Sequence, residues 1–384
     1  MTDARPQTGS RPLGVPDRVR AFLGRHRSLS IILGMAVVSA LLPFLVLVPP
    51  LSGFNAQVSW INSFSGAGIF ILLALGLNVV VGLAGLLDLG YAAFFAIGAY
   101  SYGILASSFY GLHVPFWPML VIGAVIAALF GIALGAPTLR LRGDYLAIVT
   151  LGFGEIVPVV FTNSDDLTNG TNGIAGVDRP SLPFVTFSAN PVPFYITMAI
   201  MLTFVLILLY RLHDSRLGRA WMAIREDELA AASAGINTIT TKLLAFALGA
   251  TTAGLAGVFS AARLIFVSPD QFLFTVSFTV LAMVVLGGMG NIWGVAVGAF
   301  VIYIIQTVLL KQLTNFVKPL DIPFLSQIDF LQYQFLLFGI ALVAMMLLRP
   351  EGLFPSTRRQ RELHTAEEDT EELWSPDESS EQRG

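Results

Sequence analysis

Long apolar stretches alternate with short polar segments along most of the chain. Stretches of about 20 mainly apolar residues are long enough to cross a bilayer as helices. We identify ten of them, near residues 30–50, 63–82, 90–109, 115–136, 144–162, 192–211, 240–262, 273–289, 292–311 and 329–348. The pattern predicts an all-α, polytopic membrane bundle of about ten transmembrane helices.

One polar segment, from Arg211 to Lys242, differs from the other connections because it is long and charged. Its middle is rich in Ala, Leu, Glu and Arg, which favour a helix. Gly235 and Asn237 then supply a signal for the end of that helix. A short charged helix between two spans has no bilayer to face. We therefore expect it to lie at the membrane surface and to contact another protein.

Composition supports the membrane class and excludes several other functions. The chain has 55% hydrophobic and only 12% charged residues, against roughly 25% charged residues in soluble domains. It has no Cys, which excludes disulfides and thiolate metal sites. It also lacks a Gly-x-x-x-x-Gly-Lys-Ser/Thr loop for ATP and any His spacing typical of a metal site. We predict no catalytic residue, no metal and no cofactor, and the Arg clusters lack the interleaved aromatics that would indicate nucleic-acid binding.

The charges predict the topology and the domain limits. With a cytoplasmic N-terminus, 18 of the 22 Lys and Arg fall on the inner side of the ten spans, as the positive-inside rule requires. We predict a cytoplasmic arm (1–28), a transmembrane domain (29–350) and an acidic, disordered cytoplasmic tail (351–384). Without the segment from Glu362 onward, which contains nine acids and one Arg, the chain has a net charge of +5 rather than −3. Both termini are expected in the cytoplasm.

Two Gly-rich interruptions occur at membrane depth, where the second and third stretches and the eighth and ninth nearly touch. Each fits either a tight interhelical turn or a discontinuous helix beside a translocation pathway. The glycines concerned are Gly82, Gly85 and Gly90 in the first interruption, and Gly287, Gly288 and Gly290 in the second.

Three polar residues are candidates for the translocation pathway. Glu155 is a carboxylate well inside a span, three residues before Pro158. Such a charge costs roughly 3 kcal/mol unless it faces a cavity or a partner. Asn78 and Asp88 are similar but lie nearer the end of a span. A structural ion pair or hydrogen bond is the alternative interpretation for all three.

The loop from Asn163 to Val192 is predicted to lie outside the cell. Its Gly- and Asn-rich run, Asp165 to Gly176, is typical of ordered turns. Long loops with ordered content tend to be functional. The loop therefore fits either a contact with an extracytoplasmic partner or a plain connection.

Six sequence motifs together cover most of the membrane domain. They are GLNVVVGLAGLLDLGYAAFFAIGAY (76–100), LRLRGDYLAIVTLGFGE (139–155), TNGTNGI (168–174), GRAWMAIREDE (218–228), KLLAF (242–246) and VLGGMGN (285–291). These motifs resemble those of the permeases of branched-chain amino acid ABC importers, and the M-type subunit more than its H-type partner. Urea and short-chain amide permeases share much of this pattern, so they remain an alternative for the substrate.

The resemblance implies a multi-pass permease of the bacterial cytoplasmic membrane that is not itself an enzyme. Its implied partners are a homologous H-type permease, two cytoplasmic ATPase subunits that hydrolyse ATP, and an extracytoplasmic amino-acid-binding protein. The 211–242 segment then corresponds to a coupling helix that docks on an ATPase subunit. Its expected contact residues are Arg225, Glu226, Asp227, Glu228, Ala230, Ala231 and Gly235.

The coupling motif of ABC importers has Glu-Ala-Ala, three further residues and Gly. Counting back from Gly235 places Leu229 at the Glu position, with Ala230 and Ala231 matching and Glu228 one residue early. A secondary transporter or channel without ATPase subunits is the rival from another class. It would explain neither this charged segment nor the scarcity of intramembrane charges for ion coupling.

Overall fold

The computed structural model describes residues 60–139, 144–181, 187, 191–317 and 332–349, together with Gly34 and Leu353. The helices are α1 (Trp60–Leu77), α2 (Ala92–Leu105), α3 (Phe116–Thr138), α4 (Asp144–Thr162), α5 (Pro191–His213), α6 (Arg216–Glu226), α7 (Glu228–Ser233), α8 (Thr238–Leu264), α9 (Phe274–Gly287), α10 (Ile292–Ile304) and α11 (Gln334–Leu348). α1 continues as a π-helix (Asn78–Leu83), and α10 continues through a π-helical turn (Ile305–Leu309) into Leu310–Val317. Short helical turns occur at Asp165–Thr168, Gly170–Asn172 and Pro269–Phe272, and the strands are β1 (Ile174–Ala175) and β2 (Phe266–Val267).

The all-α membrane architecture predicted from the sequence is confirmed. Within the described ranges, seven helices are long and apolar enough to cross a membrane. Ala92–Leu105 and Gln334–Met345 are apolar but shorter. Together these elements correspond to nine of the ten predicted stretches. The stretch near 30–50, the arm 1–28 and most of the tail 351–384 lie outside the described residues.

α8 occupies the centre of the bundle and packs against α1, α2 and α3. Small residues allow this, because helix backbones approach closely only where side chains are small. A Cβ atom at Gly98 of α2 would lie 2.3 Å from the carbonyl oxygen of Gly254 in α8. A Cβ at Gly131 of α3 would lie 2.6 Å from the Cβ of Ala250 in α8. The centre of the bundle therefore depends on direct backbone packing.

The connections gather at two opposite ends of the bundle. At one end, which we call the basic end, Arg225 contacts Gly82, and the amide of Leu353 donates to the carbonyl of Leu286. Of the described basic residues, this end carries Arg211, Arg216, Arg219, Arg225, Lys242 and Arg349. At the other end, which we call the β end, β1 pairs antiparallel with β2. The described basic residues there are Arg179, Arg263 and Lys311.

Candidate coupling and transport sites

The first Gly-rich interruption is an irregular segment inside the protein, between the π-helix that ends α1 and the start of α2. α2 has only 14 residues, about 21 Å, and so it is shorter than the roughly 30 Å apolar core of a bilayer. At its beginning, the hydroxyl of Tyr91 donates to the carbonyl of Gly249, which lies near the middle of α8. The segment 84–91 therefore returns into the bundle before helical structure resumes.

The backbone of this segment is hydrogen-bonded by other parts of the chain. The amide of Leu89 donates to Oγ1 of Thr150 (3.0 Å), and the amide of Ala92 donates to Oγ of Ser277 (2.8 Å). Irregular backbone at membrane depth requires this kind of protein partner. A Cβ at Gly90 would lie 2.0 Å from the carbonyl oxygen of Thr150. Glycine therefore permits the contact with α4.

The second interruption is a tight turn between α9 and α10. Gly288 and Gly290 have φ values of 110° and 85°, a region that favours glycine. Oδ1 of Asn291 accepts from the amides of Trp293 and Gly294 and so caps α10. A Cβ at Gly298 would lie 2.5 Å from the Cα of Gly287, so the backbones of the two helices are in direct contact near the turn. The two interruptions thus have different structures.

Asn78 joins these two interruptions. Its Oδ1 accepts a 2.8 Å hydrogen bond from the amide of Gly290, and its side chain is buried. A Cβ at Gly82 would lie 2.6 Å from the same amide nitrogen. Asn78 therefore lies inside the subunit, where it links α1 to the α9–α10 turn.

Asp88 is also buried, within the first interruption. Its Oδ1 accepts from the amide of Gly90 at 2.9 Å. Beside it lies a cavity of about 10 Å³, which is also lined by Thr138 and Thr150. A space of this size holds about one water molecule. Asp88 thus lies in the interior of the subunit, where it stabilises the backbone turn at Gly90.

Glu155 lies apart from both residues, on an exposed face of α4. A Cβ at Gly152, one turn earlier, would meet nothing within 4 Å. The exposed apolar side chains of this face are Tyr145, Ile148, Ile156 and Val159. The three pathway candidates therefore do not form one site, and Glu155 alone lies on a surface that another subunit or the pathway could cover.

The charged segment 211–242 contains two helices rather than one continuous helix. α6 ends at Glu226, and Asp227 adopts an extended conformation (φ −151°, ψ 111°). Oδ1 of Asp227 accepts from the amides of Leu229 (2.8 Å) and Ala230 (3.0 Å), and so it caps α7. α7 ends at Ser233, and Gly235 follows with φ +88°, as its position in the sequence indicated.

Both helices are fixed to the membrane bundle. The indole of Trp221 in α6 is fully buried, and its Nε1 donates to the carbonyl of Thr241 at 2.7 Å. Nζ of Lys242, at the start of α8, lies 2.6 Å from Oε1 of Glu228. Glu228 therefore has a partner within the chain. Arg225 also turns inward, where its Nη1 donates to the carbonyl of Gly82 at 2.5 Å.

The expected contact residues consequently divide into two groups. Arg225, Glu228 and Ala231 pack against the bundle, since the first two are hydrogen-bonded or paired there and Ala231 is buried. The exposed residues are Glu226, Asp227, Ala230 and Gly235. The sequence did not single out Leu229 as a contact residue, yet its side chain is 68% exposed. Its position in the Glu-Ala-Ala alignment was the available signal.

The β end has an ordered surface built on the 163–181 part of the long loop. The amide of Asp178 donates to the carbonyl of Ala106 at 2.7 Å, and the hydroxyl of Tyr102 donates to the carbonyl of Asp178 at 2.7 Å. Nδ1 of His113 lies 2.8 Å from Oδ2 of Asp178. This part of the loop is therefore fixed to α2 and to the α2–α3 connection. Most residues from 182 to 190 lie outside the described ranges.

The similarity of this chain to known proteins covers nearly the same residues as the helical bundle described above. The family described as "Branched-chain amino acid transport system / permease component" matches residues 59–348. The high-affinity branched-chain amino acid transport system permease protein LivM of Salmonella typhimurium is 41% identical over 321 residues, which cover 78% of this chain and 71% of the relative. LivM of Escherichia coli is 42% identical over 317 residues, covering 77% and 70%. The ribose import permease RbsC of Escherichia coli is 27% identical over 300 residues, covering 74% and 85%. No solved structure shows significant similarity.

Proposed function

The chain belongs to the family of permease components of branched-chain amino acid transport systems, and we propose that it is the M-type permease subunit of an ATP-driven importer of these amino acids. It spans the bacterial cytoplasmic membrane and forms half of a translocation pathway, with a homologous H-type permease as the other half. The observation that carries the proposal is the identity of 41–42% to two LivM proteins over most of the membrane domain.

Two cytoplasmic ATPase subunits are the proposed source of energy, and α7 is the proposed contact with one of them. Leu229 is exposed beside the acidic residues Glu226 and Asp227, at the end of the bundle that carries most of the described basic residues. A large exposed aliphatic side chain among charges is typical of an interface with a soluble partner. Because Trp221 and Lys242 fix α6 and α7 to α8, force applied at α7 reaches the bundle.

The exposed face of α4 supports the assignment of the partner permease. A carboxylate facing lipid at membrane depth costs roughly 3 kcal/mol, so Glu155 requires water or a polar partner. The open space at Gly152 allows a second helix to approach closely. We assign this face to the boundary between the two permeases, with Glu155 beside the pathway.

The β end is the proposed contact for an extracytoplasmic binding protein. The basic end carries more of the described Lys and Arg, which favours a cytoplasmic basic end and an extracytoplasmic β end. The surface formed by β1, β2 and Asp178 is held by backbone hydrogen bonds. A binding protein loaded with substrate shifts the permease between conformations only if it binds one of them more tightly, and a rigid surface makes such discrimination effective.

Uptake measurements test the substrate. In cells that lack their own branched-chain amino acid permeases, the complete set of subunits should import labelled Leu, and omission of this chain should abolish uptake. Unlabelled Ile and Val should compete, whereas urea and ribose should not. Competition by urea, together with no uptake of Leu, would instead assign the chain to the urea and amide permeases. Uptake that needs no ATPase subunit would favour a secondary transporter.

A further inference from the structure

Arg225 lies where the charged segment meets both Gly-rich interruptions. It occupies the last turn of α6, directly before Glu226 and Asp227. Its Nη1 donates to the carbonyl of Gly82 in the π-helical end of α1. A Cβ built at Gly290 would lie 3.4 Å from the same Nη1. One guanidinium group thus reaches α1 and the α9–α10 turn together.

The interruptions are shaped around this side chain. A Cβ at Gly85 would lie 2.7 Å from Cγ of Arg225, so the absence of a side chain at residue 85 makes room for the arginine stem. Gly85 has φ +70°, which further favours glycine. Asn78 then links the two interruptions directly through the amide of Gly290. These contacts form a hydrogen-bonded and close-packed junction of five residues, which we call the Arg225 junction (Asn78, Gly82, Gly85, Arg225 and Gly290).

The junction connects an exposed element to a discontinuous helix. On one side, Asp227 caps the exposed α7 and follows Arg225 by two residues. On the other side, the segment 85–91 is not helical. The amide of Leu89 within it donates to a side chain of α4, and that of Ala92, which follows it, donates to a side chain of α9. A non-helical segment of this kind changes conformation at lower cost than a continuous helix, because fewer cooperative backbone bonds must break.

We propose that Arg225 is a positioning residue that transmits displacement of α7 to both Gly-rich interruptions, so that nucleotide-driven motion outside the membrane rearranges the segment 84–91. This inference rests on the proposed function. Under this proposal Arg225 acts inside the permease and does not contact the ATPase. The exposed residues of α7 make that contact.

Labelling in the Cys-free chain provides the direct test. Ser233→Cys places a spin label on the exposed α7, and Leu87→Cys places one on an exposed residue of the first interruption. In the reconstituted importer, addition of ATP with vanadate should change the mobility of both labels. With Arg225→Met, the label at residue 233 should still respond, and the label at residue 87 should no longer do so. Arg225→Lys, which keeps an N–H donor on an aliphatic stem, should restore the response at residue 87.

Transport assays give the second readout. Arg225→Met should lower uptake and binding-protein-stimulated ATPase activity at least tenfold, while basal ATPase activity and subunit assembly stay within twofold of wild type. Arg219→Met is the matched control, because Arg219 lies on the same helix, is exposed and, among the described residues, donates to the nearby carbonyl of Asp214 rather than to either interruption. It should leave uptake unchanged. If Arg225→Met accumulates poorly, Arg225→Gln, which is too short to reach Gly82, replaces it in both assays.

The outcomes separate the two proposals. A wild-type importer without ATP-dependent uptake of branched-chain amino acids contradicts the proposed function. A working wild type in which Arg225→Met or Arg225→Gln leaves the response at residue 87 and the uptake intact overturns the inference alone. Equal losses in the Arg219 and Arg225 variants also overturn it, because transmission would then not depend on the junction.

Discussion

Neighbouring charged residues in this protein differ in whether their side chains point toward the helical bundle or toward its surroundings. Arg225 and Glu226 are neighbours in α6, yet Arg225 bonds to the bundle and Glu226 is exposed. Glu228 has a charge suited to a contact with another protein, but it pairs with Lys242, whose side chain is 8% exposed. A buried ammonium group without a counter-charge would be costly. Glu228 therefore stabilises the start of α8.

Glu155 gives a prediction at this scale. Glu155→Gln keeps the shape and the hydrogen-bonding capacity of the side chain but removes its charge. It should lower uptake of branched-chain amino acids at least fivefold, with the amount of folded protein within about 20% of wild type, because the residue is exposed. Uptake in reconstituted vesicles and fluorescence-detected chromatography measure the two quantities.

Glu155→Asp serves as the matched control, since it keeps the charge and should retain most of the uptake. Normal uptake by Glu155→Gln, combined with a lower amount of folded protein in Glu155→Ala, would assign a structural role to the residue. The boundary between the permeases would then need another polar group.

At the scale of elements, the two Gly-rich interruptions show why similar sequences adopt different structures. Both combine glycines with apolar residues at the end of a span. The second closes as a turn because Gly288 and Gly290 adopt positive φ and Asn291 caps the next helix. The first extends back into the bundle because Thr150 of α4 accepts from the amide of Leu89, and Ser277 of α9 accepts from the amide of Ala92 at the start of α2. Distant side chains, rather than local propensity, separate the two outcomes.

The exposed helix α7 gives the prediction at this scale. Leu229→Ala should weaken binding of the ATPase subunit by about 1–2 kcal/mol, which is roughly 5- to 30-fold in affinity. The thermal stability of the permease in detergent should stay unchanged, because the Leu229 side chain is exposed. Titration of the purified ATPase against the immobilised permease measures the affinity.

Ile239→Ala is the control for this measurement, since Ile239 is also exposed at the basic end but lies on the first turn of α8. It should bind the ATPase with wild-type affinity. Equal affinities for wild type and Leu229→Ala would remove α7 from the proposed contact.

At the scale of the whole molecule, the distribution of connections over two ends constrains the orientation. Arg225, Gly82 and Gly290 meet at the basic end, whereas β1, β2 and the 163–181 segment meet at the β end. These contacts join parts of the chain that are far apart in sequence. All connections at one end must therefore lie on the same side of the membrane. Once the side of one connection is measured, the side of every other connection follows.

Cysteine labelling tests this orientation. The chain has no native Cys, so single substitutions report without background. In intact spheroplasts, Ser181→Cys should react with a membrane-impermeant maleimide, and Ser233→Cys should react only after lysis. Both serines are exposed in the structure. Labelling of residue 233 in intact spheroplasts, with protection of residue 181, would reverse the proposed topology.

The hydrophobic pattern was sufficient to predict the membrane class and most of the apolar helices. Hydropathy is a local property that adds along a stretch of chain, and crossing a bilayer requires only that the local sum be large enough. The end of α7 near Gly235 was predictable for a similar reason, because helix termination depends on residues within one turn. The break at Asp227 was missed, although an Asp before Glu-Leu-Ala-Ala is itself a capping signal.

The site could not be assembled from the sequence, because it depends on contacts between distant parts of the chain. The hydrogen bond from Arg225 to Gly82 spans 143 residues, and the one from Gly290 to Asn78 spans 212. Helical periodicity indicates which residues share a face, but only packing determines what that face meets. For this reason the sequence determined which segments are long and apolar enough to cross a membrane. The tertiary structure alone decided that Arg225 turns inward, that Asn78 and Asp88 are buried, and that Glu155 lies on an open face of the bundle.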